Sequence, residues 1–574
     1  MADDNYKIVD DLLGKMTLEE KIGQLFVFGL NGSQITPDLI NAITKLNCAG
    51  IRVTPNSRIF ARYKRPGSTG EGPVVRQPKG IAKDLKNDVP APYLTLQEYA
   101  TVLNELKKIA VNRPHGIPVH IVLDQEGNGS ADLSRGGIHY FPHPMGLCAS
   151  GDPDLVYRVG RGLAEQMLAV GVQMIHSPVL DVNLNPLNPE IGTRSYSDNQ
   201  LTVAKYAAQT LRGFRDGGLI ATAKHFPGRG DSAADAHYDI PRIEKTREQL
   251  WAEDLRPYQE LIPLGLPAIM LAHTIYPAYD NQNIATISPR IIQDLIRKEL
   301  GFTGVITTDS ITMGAVERQY PIPQASVMAV KAGVNLILLK DENWLRDEAY
   351  QAVLNAVKSG EIKESWIDGL VETTLKMKVD YGHFNNAGLV DVERIPERVT
   401  LNHELAALER EAAERSVLIL RDREHRLPLA KGRKALLVEQ IFPTQLEAND
   451  SNCHPGMLWE EMLQLSDQVM MVDTDLAPTE EDRRRVMARV GEADLIIATN
   501  YYVRAKESGK EFVQELAKLG KPLVVVTNTP YIFGDDPEFS TVILTFSPER
   551  QGLRGVARLI YGEFQPTARL EVKL

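Results

Sequence analysis

Along the first two-thirds of the chain, short apolar, β-branched runs alternate with longer segments of helical period. The runs are Gln24–Leu30, Ala49–Thr54, Val119–Asp124, Gln173–Pro178, Leu219–Lys224, Ala268–Ala272, Gly304–Thr308 and Asn335–Lys340. Between most of them lie helical patterns such as Pro153–Ala169, Leu201–Asp216 and Pro289–Leu300, where apolar positions recur every three to four residues. A strand with one wet face alternates apolar and polar side chains. Ala268-Ile-Met-Leu-Ala272 does not alternate, which predicts a parallel strand covered on both faces. Repeated β/α units of this kind predict a (β/α)8 TIM-like barrel. A doubly wound open sheet is the competing topology, because periodicity does not report closure.

Two stretches break the rhythm. Thr54 to Pro92 carries Arg58, Arg62, Lys64, Arg65 and Arg76 among several Gly and Pro residues, and is long for a βα connection. It reads either as a surface insertion or as a loop over the pocket mouth, since insertions after a barrel strand fall on the catalytic face. The polar, Pro396-containing stretch Asp391–Asn402 then precedes a helix over His403–Glu414. The expected organisation is a barrel over 1–390, a linker over 391–405 and a second domain over 406–574. New strand candidates follow at Ser416–Leu420, Lys434–Glu439, Gln468–Val472, Ala493–Thr499, Pro522–Thr527 and Thr541–Leu544, several separated by helical patterns such as Thr479–Val490 and Gly509–Leu519. They predict a smaller, mainly parallel α/β sandwich. No Gly-rich phosphate loop opens its helices, so nucleotide binding has no support.

Composition narrows the function classes. A chain of 574 residues exceeds one ordinary core. A net charge of −11, without a basic block, argues against a nucleic-acid partner. Cys48, Cys148 and Cys453 are far apart with no ligand-like spacing, which makes a zinc site or a disulfide framework improbable and suits a reducing, cytoplasmic setting. No apolar run reaches the roughly 18 residues of a membrane span. No cofactor motif is present, which favours hydrolysis or group transfer over redox chemistry. Oligomeric state is not legible.

Catalytic groups of a barrel gather where strands end at its C-terminal face. Those positions hold Asp124-Gln-Glu126, Asp181 with Asn183, Lys224-His225, His273 and Asp309. The densest segment runs Ala223-Lys-His-Phe-Pro-Gly-Arg-Gly-Asp-Ser-Ala-Ala-Asp-Ala-His237. Lys224 and His225 close a strand, Pro227, Gly228 and Gly230 make a flexible turn, and Asp235 and His237 follow two residues apart. A carboxylate bonded to one imidazole nitrogen fixes the tautomer and leaves the other nitrogen free for proton transfer. The same two residues also fit an ordinary solvated loop.

The spacing Lys-His-Phe-Pro-Gly-x-Gly-Asp-x-x-x-Asp-x-His resembles the signature of bacterial β-N-acetylglucosaminidases of glycoside hydrolase family 3. The resemblance implies a barrel followed by an α/β sandwich, no cofactor and a small carbohydrate substrate. It implies His237 as proton donor, Asp235 as its orienting carboxylate, and Lys224 and His225 as hydrogen-bond partners of the sugar hydroxyls. Gly301-Phe-Thr-Gly-Val-Ile-Thr-Thr-Asp-Ser-Ile-Thr-Met-Gly-Ala315 is similar to the family's nucleophile segment, implying Asp309. Leu123-Asp-Gln-Glu-Gly127 resembles its sugar-binding strand end, implying Asp124, and Asn188-Pro-Glu-Ile-Gly-Thr-Arg-Ser-Tyr196 implies Arg194 as a substrate contact. The chain departs from the family pattern at Arg229, usually His, and at Ala236, usually Ser. It also departs after Gly127, where Arg135 stands in a shifted register.

The mechanism so implied is a retaining double displacement. Phosphate as acceptor in place of water, a different sugar preference such as glucose, and a non-catalytic sugar-binding role are the rival functions. Glu126 is expected to orient neighbouring backbone, and Asp181 and Asn183 to cap a loop. His273 is expected to line the pocket or to support Asp309. A metal held by His139 and His143 is not expected. Trp251, Trp366 and Trp459 read as packing residues.

Overall fold

The computed structural model describes residues 6–55, 94–127, 130–134, 136–236, 240–441, 454–502, 509–534 and 536–574. Most of the Thr54–Pro92 insertion, Arg135, His237 and Cys453 lie outside them. The apolar runs become eight parallel strands: β1 (Phe26–Asn31), β2 (Gly50–Thr54), β3 (His120–Leu123), β4 (Met174–Ile175), β5 (Ile220–Phe226), β6 (Ala268–Leu271), β7 (Val305–Thr308) and β8 (Ile337–Leu339). They follow chain order around the sheet, with β8 returning to pair with β1. The ring is joined on the other side by a parallel bridge from Thr307 to Leu336 and a bond from Thr308 N–H to the Leu336 carbonyl at 3.0 Å. The sheet is therefore a TIM-like barrel and not an open one. Every residue of these strands is buried, as the lack of alternation requires.

Local chemistry sets the helices between the strands. The helix Pro153–Val170 starts on an Asp152 cap with Pro at its first position, and Gln200–Gly217 starts on Asn199. Each ends on a left-handed glycine, Gly171 at φ 99° and Gly218 at φ 84°, a conformation other residues adopt only with strain. The next strand then begins at Met174 and at Ile220, within three residues of each glycine. Helix Arg290–Glu299 has π winding. Its apolar Ile291, Ile292, Leu295 and Ile296 are buried, so the predicted amphipathic face is kept although the hydrogen-bond ladder is wider.

A second, six-stranded sheet contains β9 (Leu418–Asp422), β10 (Ala435–Ile441), β11 (Val469–Asp475), β12 (Leu495–Asn500), β13 (Leu523–Thr527) and β14 (Thr541–Leu544), ordered 9-14-13-12-10-11. All pairs are parallel except the edge strand β9, which runs antiparallel to β14. Apolar clusters cover both faces of this sheet. The helix His403–Ser416 leads into it, and this helix's Ala412 packs in the barrel's own core. Among the described residues, no helix is long and apolar enough to cross a membrane.

Candidate active site

Asp124, just beyond β3, is where three cationic or proton-donating side chains from other strands converge. Its Oδ1 accepts from Lys224 Nζ at 3.0 Å and from His176 Nδ1 at 3.1 Å, and its Oδ2 accepts from Arg52 Nη2 at 2.6 Å. Burial alone would raise the Asp124 pKa, but Lys224 and Arg52 outweigh it and hold the carboxyl well below the usual range. Arg52 also pairs with Asp132 at 2.7 Å, and Asp132 Oδ2 accepts the Asp124 backbone N–H at 2.7 Å. Burial pushes Asp132 up to about 6, opposed by Arg52.

Glu126, two residues on, is 1% exposed and takes a bidentate fork from Arg194, whose Nε and Nη2 donate at 2.7 and 3.0 Å. Lys224 Nζ contacts the same carboxylate. Burial raises the Glu126 pKa, and the Arg194 and Lys224 charges more than reverse that, leaving it ionised. Glu126 holds two side chains, Arg194 and Lys224, beyond the backbone role expected from the sequence. Asp124, Arg194 and Lys224 are thus brought together as one ionic network at the C-terminal ends of β3 and β5.

His225 lies next to this network and faces a different partner. Its Nδ1 is 2.7 Å from Asp181 Oδ2, and its Nε2 is 2.9 Å from Arg229 Nη2. A guanidinium can only donate, so Nε2 accepts and the ring proton resides on Nδ1, donated to Asp181. Burial drives the His225 pKa well below its usual value, and the Arg229 charge adds to it. Asp181 is completely buried and also accepts the Arg229 backbone N–H at 2.7 Å. Burial raises it to about 6 against the opposing Arg229 charge. Asp181 is more than the loop cap its position suggests: it sets the tautomer of His225. Asn183 does hold a loop, accepting from the Gly192 N–H at 3.1 Å.

Asp309 follows β7, where its Oδ1 accepts the Ser310 N–H at 2.7 Å. Burial raises its pKa, but the charges of His273, Arg229 and Lys224 bring it below the usual value, so the carboxylate is ionised near neutrality. His273 is fully buried beneath the same turn, with Nε2 donating to the Ser310 carbonyl at 3.0 Å and Nδ1 2.7 Å from Thr286 Oγ1. Of its two expected roles, this geometry selects support of the Asp309 turn.

The loop after β5 is stitched down at several points. The Gly228 carbonyl accepts from Tyr276 OH at 2.7 Å, the Arg229 carbonyl from Asn188 Nδ2 at 2.8 Å, and the Ser232 carbonyl from Asn185 Nδ2 at 3.1 Å. Asp235 is half-buried. Ala236 is fully buried, with its N–H donating to Glu190 Oε2 at 3.0 Å and its carbonyl accepting from Ala315 N at 3.1 Å. The described end of the loop thus rests on the segment that follows Asp309. His237 itself is outside the described residues.

Sequence reasoning missed Arg52, His176 and Glu190. A charged residue in the middle of a strand buried on both faces, as Arg52 is in Gly50-Ile-Arg-Val-Thr54, was the available signal. His139 and His143 serve elsewhere: His139 pairs with Glu409 at 3.0 Å, and His143 with Thr193 Oγ1 at 2.6 Å. Among the described residues, no group of three or more His, Cys, Asp or Glu is arranged to hold a metal ion. Trp251, Trp366 and Trp459 donate their indole N–H groups to Tyr279, Val330 and Val469, away from these residues.

Comparison with known proteins points the same way. The family described as glycosyl hydrolase family 3 N terminal domain matches residues 17–377. Beta-hexosaminidase A of Pseudoalteromonas piscicida is 30% identical over 302 residues, 48% of this chain and 50% of that protein. A beta-hexosaminidase of Alkalilimnicola ehrlichii is 36% identical over 251 residues, 43% of this chain and 69% of that one. The chain therefore spans about half the length of the first of these relatives and about two-thirds of the second. A solved family 3 beta-N-acetylglucosaminidase from Paenibacillus sp. str. FPU-7 superposes with a TM-score of 0.84 at 27% identity, covering 97% of this chain and 99% of that one. A beta-glucoside phosphorylase shares the fold, with a TM-score of 0.79 at 19% identity over 100% of this chain and 97% of that one.

Proposed function

Because the chain belongs to glycosyl hydrolase family 3, we propose that it removes terminal β-linked N-acetylglucosamine from glycosides by a retaining double displacement. The observation that carries this reading is the placement of an ionised Asp309 at a barrel strand end, with the Asp235–Ala236 end of the β5 loop seated on the segment just after it. In the first step an Asp309 oxygen forms a bond to the anomeric carbon as the bond from that carbon to the departing oxygen breaks. His237, oriented by Asp235, gives its proton to the departing oxygen. In the second step water attacks the same carbon and loses a proton to the imidazole of His237, and the Asp309 carboxylate is released. Two inversions return the β configuration.

The sugar is read by the network around Asp124. Asp124, Arg194 and Lys224 offer acceptor and donor atoms to its hydroxyls. His225, with Nε2 taken up by Arg229, contributes by fixing that wall of the pocket. The catalytic barrel is proposed to span 1–390, joined by 391–405 to the sandwich over 406–574. Cys48 and Cys148 are buried free thiols, which supports a cytoplasmic setting. Phosphate as the acceptor is not favoured, since the likeness to a phosphorylase is one of fold alone.

The test is turnover of aryl β-N-acetylglucosaminide and aryl β-glucoside, with and without phosphate. Free N-acetylglucosamine of initial β configuration is expected from the first substrate in both buffers. Asp309→Ala is expected to lose at least about 10³-fold in kcat, because no covalent route remains. Near-normal activity of that variant, or preferred turnover of the glucoside, would overturn the reading.

A further inference from the structure

We propose that Glu190 is a positioning residue for the β5 loop, holding the Asp235–Ala236 peptide against the nucleophile segment with Arg229 as its counter-charge. The proposal rests on the roles given above to Asp309 and His237 and extends them to the buried Glu190–Arg229 pair. Glu190 lies in the Asn188–Arg194 segment, where the Asn188 side-chain oxygen accepts both the Glu190 and Ile191 N–H groups at 2.9 Å. That local turn fixes where the Glu190 side chain leaves the backbone. Its carboxylate is 2% exposed, lies 3.2 Å from Arg229 Nη1, and accepts the Ala236 N–H at 3.0 Å. Its own carbonyl accepts from Arg194 Nη1 at 2.8 Å.

The consequence follows from what each contact can do. A bond from a side-chain carboxylate to a main-chain N–H fixes backbone, whichever way the neighbouring side chains turn. Ala236 is gripped on both sides, by Glu190 at its N–H and by Ala315 at its carbonyl, and it directly precedes His237 in the chain. The contact therefore fixes the main chain one residue before the proposed proton donor. Arg229 supplies the buried carboxylate with a counter-charge. A guanidinium does so at every working pH, whereas an imidazole at that position would lose its charge near neutrality. The departure from the family pattern at Arg229 thereby acquires a physical partner in Glu190.

The experiment uses the full-length chain and two β-N-acetylglucosaminides, one with a dinitrophenyl and one with an alkyl leaving group. Only the alkyl leaving group needs proton donation, and a misplacement of about 1 Å costs about 10²-fold. Glu190→Ala is expected to lose about 10²-fold in kcat/KM on the alkyl glycoside and under about 5-fold on the dinitrophenyl one. Glu190→Gln, whose amide oxygen can still accept the Ala236 N–H, is expected to recover most of the difference. Amide exchange at Ala236 should speed up in Glu190→Ala and stay slow in Glu190→Gln. Should Glu190→Ala fail to fold, Ala236→Pro deletes the same N–H while leaving the ion pair in place, and should show the same leaving-group-selective loss. Equal losses on both glycosides, or an unchanged Ala236 exchange rate, would overturn the proposal. If the wild-type chain turned over neither glycoside, the activity reading would fall, while the Ala236 exchange rates would still decide the contact.

Discussion

Lys224 supplies the only side-chain cation that the described structure places on both Asp124 and Glu126. Removing one cation from a buried network leaves its carboxylates with only part of their counter-charge, here Arg52 on Asp124 and Arg194 on Glu126, which costs up to about 3–5 kcal/mol. Lys224→Met is therefore expected to lower both thermal stability and kcat/KM, the latter by at least about 10²-fold. Lys224→Arg should not restore activity, because a planar fork cannot occupy a site built for a single ammonium. Steady-state kinetics and calorimetry of the two variants check this. Asp181 yields a pH prediction of a different kind. Its folded pKa of about 6 lies above that of an unfolded Asp, so its contribution to stability is fully present below about pH 4 and is lost as pH rises through about 6. Relative to Asp181→Asn, the wild type should lose about 3 kcal/mol of unfolding free energy between pH 4 and 7, and parallel pH series of denaturant melts measure it. Lys224, His225 and Asp124 could be singled out in the sequence because motif and strand end coincide there, and Arg194 by its motif alone. Asp181 and Glu190 were not, since only the tertiary fold buries them against His225 and Arg229.

At the scale of elements, the apolar runs located all eight barrel strands, and the misplaced ends have physical causes. The run Gln173–Pro178 pairs as a strand only at Met174–Ile175. Pro178 has no N–H to give to a ladder, and the Val179 bridge to Lys224 resumes pairing beyond it. The run Leu219–Lys224 extends to Phe226 because ladder pairing with β6 continues to Leu271, up to the residue before Pro227. The β5 loop depends on a close approach that no hydropathy pattern reports. A Cβ on Gly230 would lie 1.7 Å from the Val182 carbonyl oxygen, so backbone would have to move to admit it. Gly230→Ala is expected to displace the loop at the Asn185–Gly230 bond and cut kcat by about 10²-fold. The barrel, whose strands carry none of that strain, should keep its far-UV circular dichroism. A Gly230→Ala enzyme with unchanged kcat would show that the loop's seat is not required.

In the whole molecule, the second domain is seated on the loop that follows β4, at the C-terminal end of the barrel strands. Tyr531 OH accepts from Asn183 Nδ2 at 2.8 Å, the Glu571 carbonyl accepts from Ser197 Oγ at 2.5 Å, and Lys573 N–H donates to Asp198 Oδ2 at 2.9 Å. Asn183 also holds Gly192, two residues before Arg194, so the seat and Arg194 share one loop. A two-domain chain was readable from the break near Pro396, but this seat was not, because its contacts join positions more than 300 residues apart. A second clasp lies on the helix before the sandwich. Glu409 Oε1 accepts the Tyr140 N–H at 2.6 Å and its Oε2 pairs with His139 Nδ1 at 3.0 Å, while His139 Nε2 donates to the Val399 carbonyl at 3.0 Å. With a carbonyl on one nitrogen and a carboxylate on the other, both ring nitrogens donate and the imidazolium is the fitted form. Burial lowers the His139 pKa, but Glu409 more than reverses this and the value is raised. A raised folded pKa means the clasp's contribution is fully present below the unfolded value near 6.5 and is lost as pH rises through the folded one. Glu409→Gln should therefore be less stable than wild type by about 2 kcal/mol at pH 6, with the gap narrowing toward pH 9. Calorimetric unfolding of the two proteins across that range decides it, since a gap that stayed constant would mean that His139 carries no charge in the clasp.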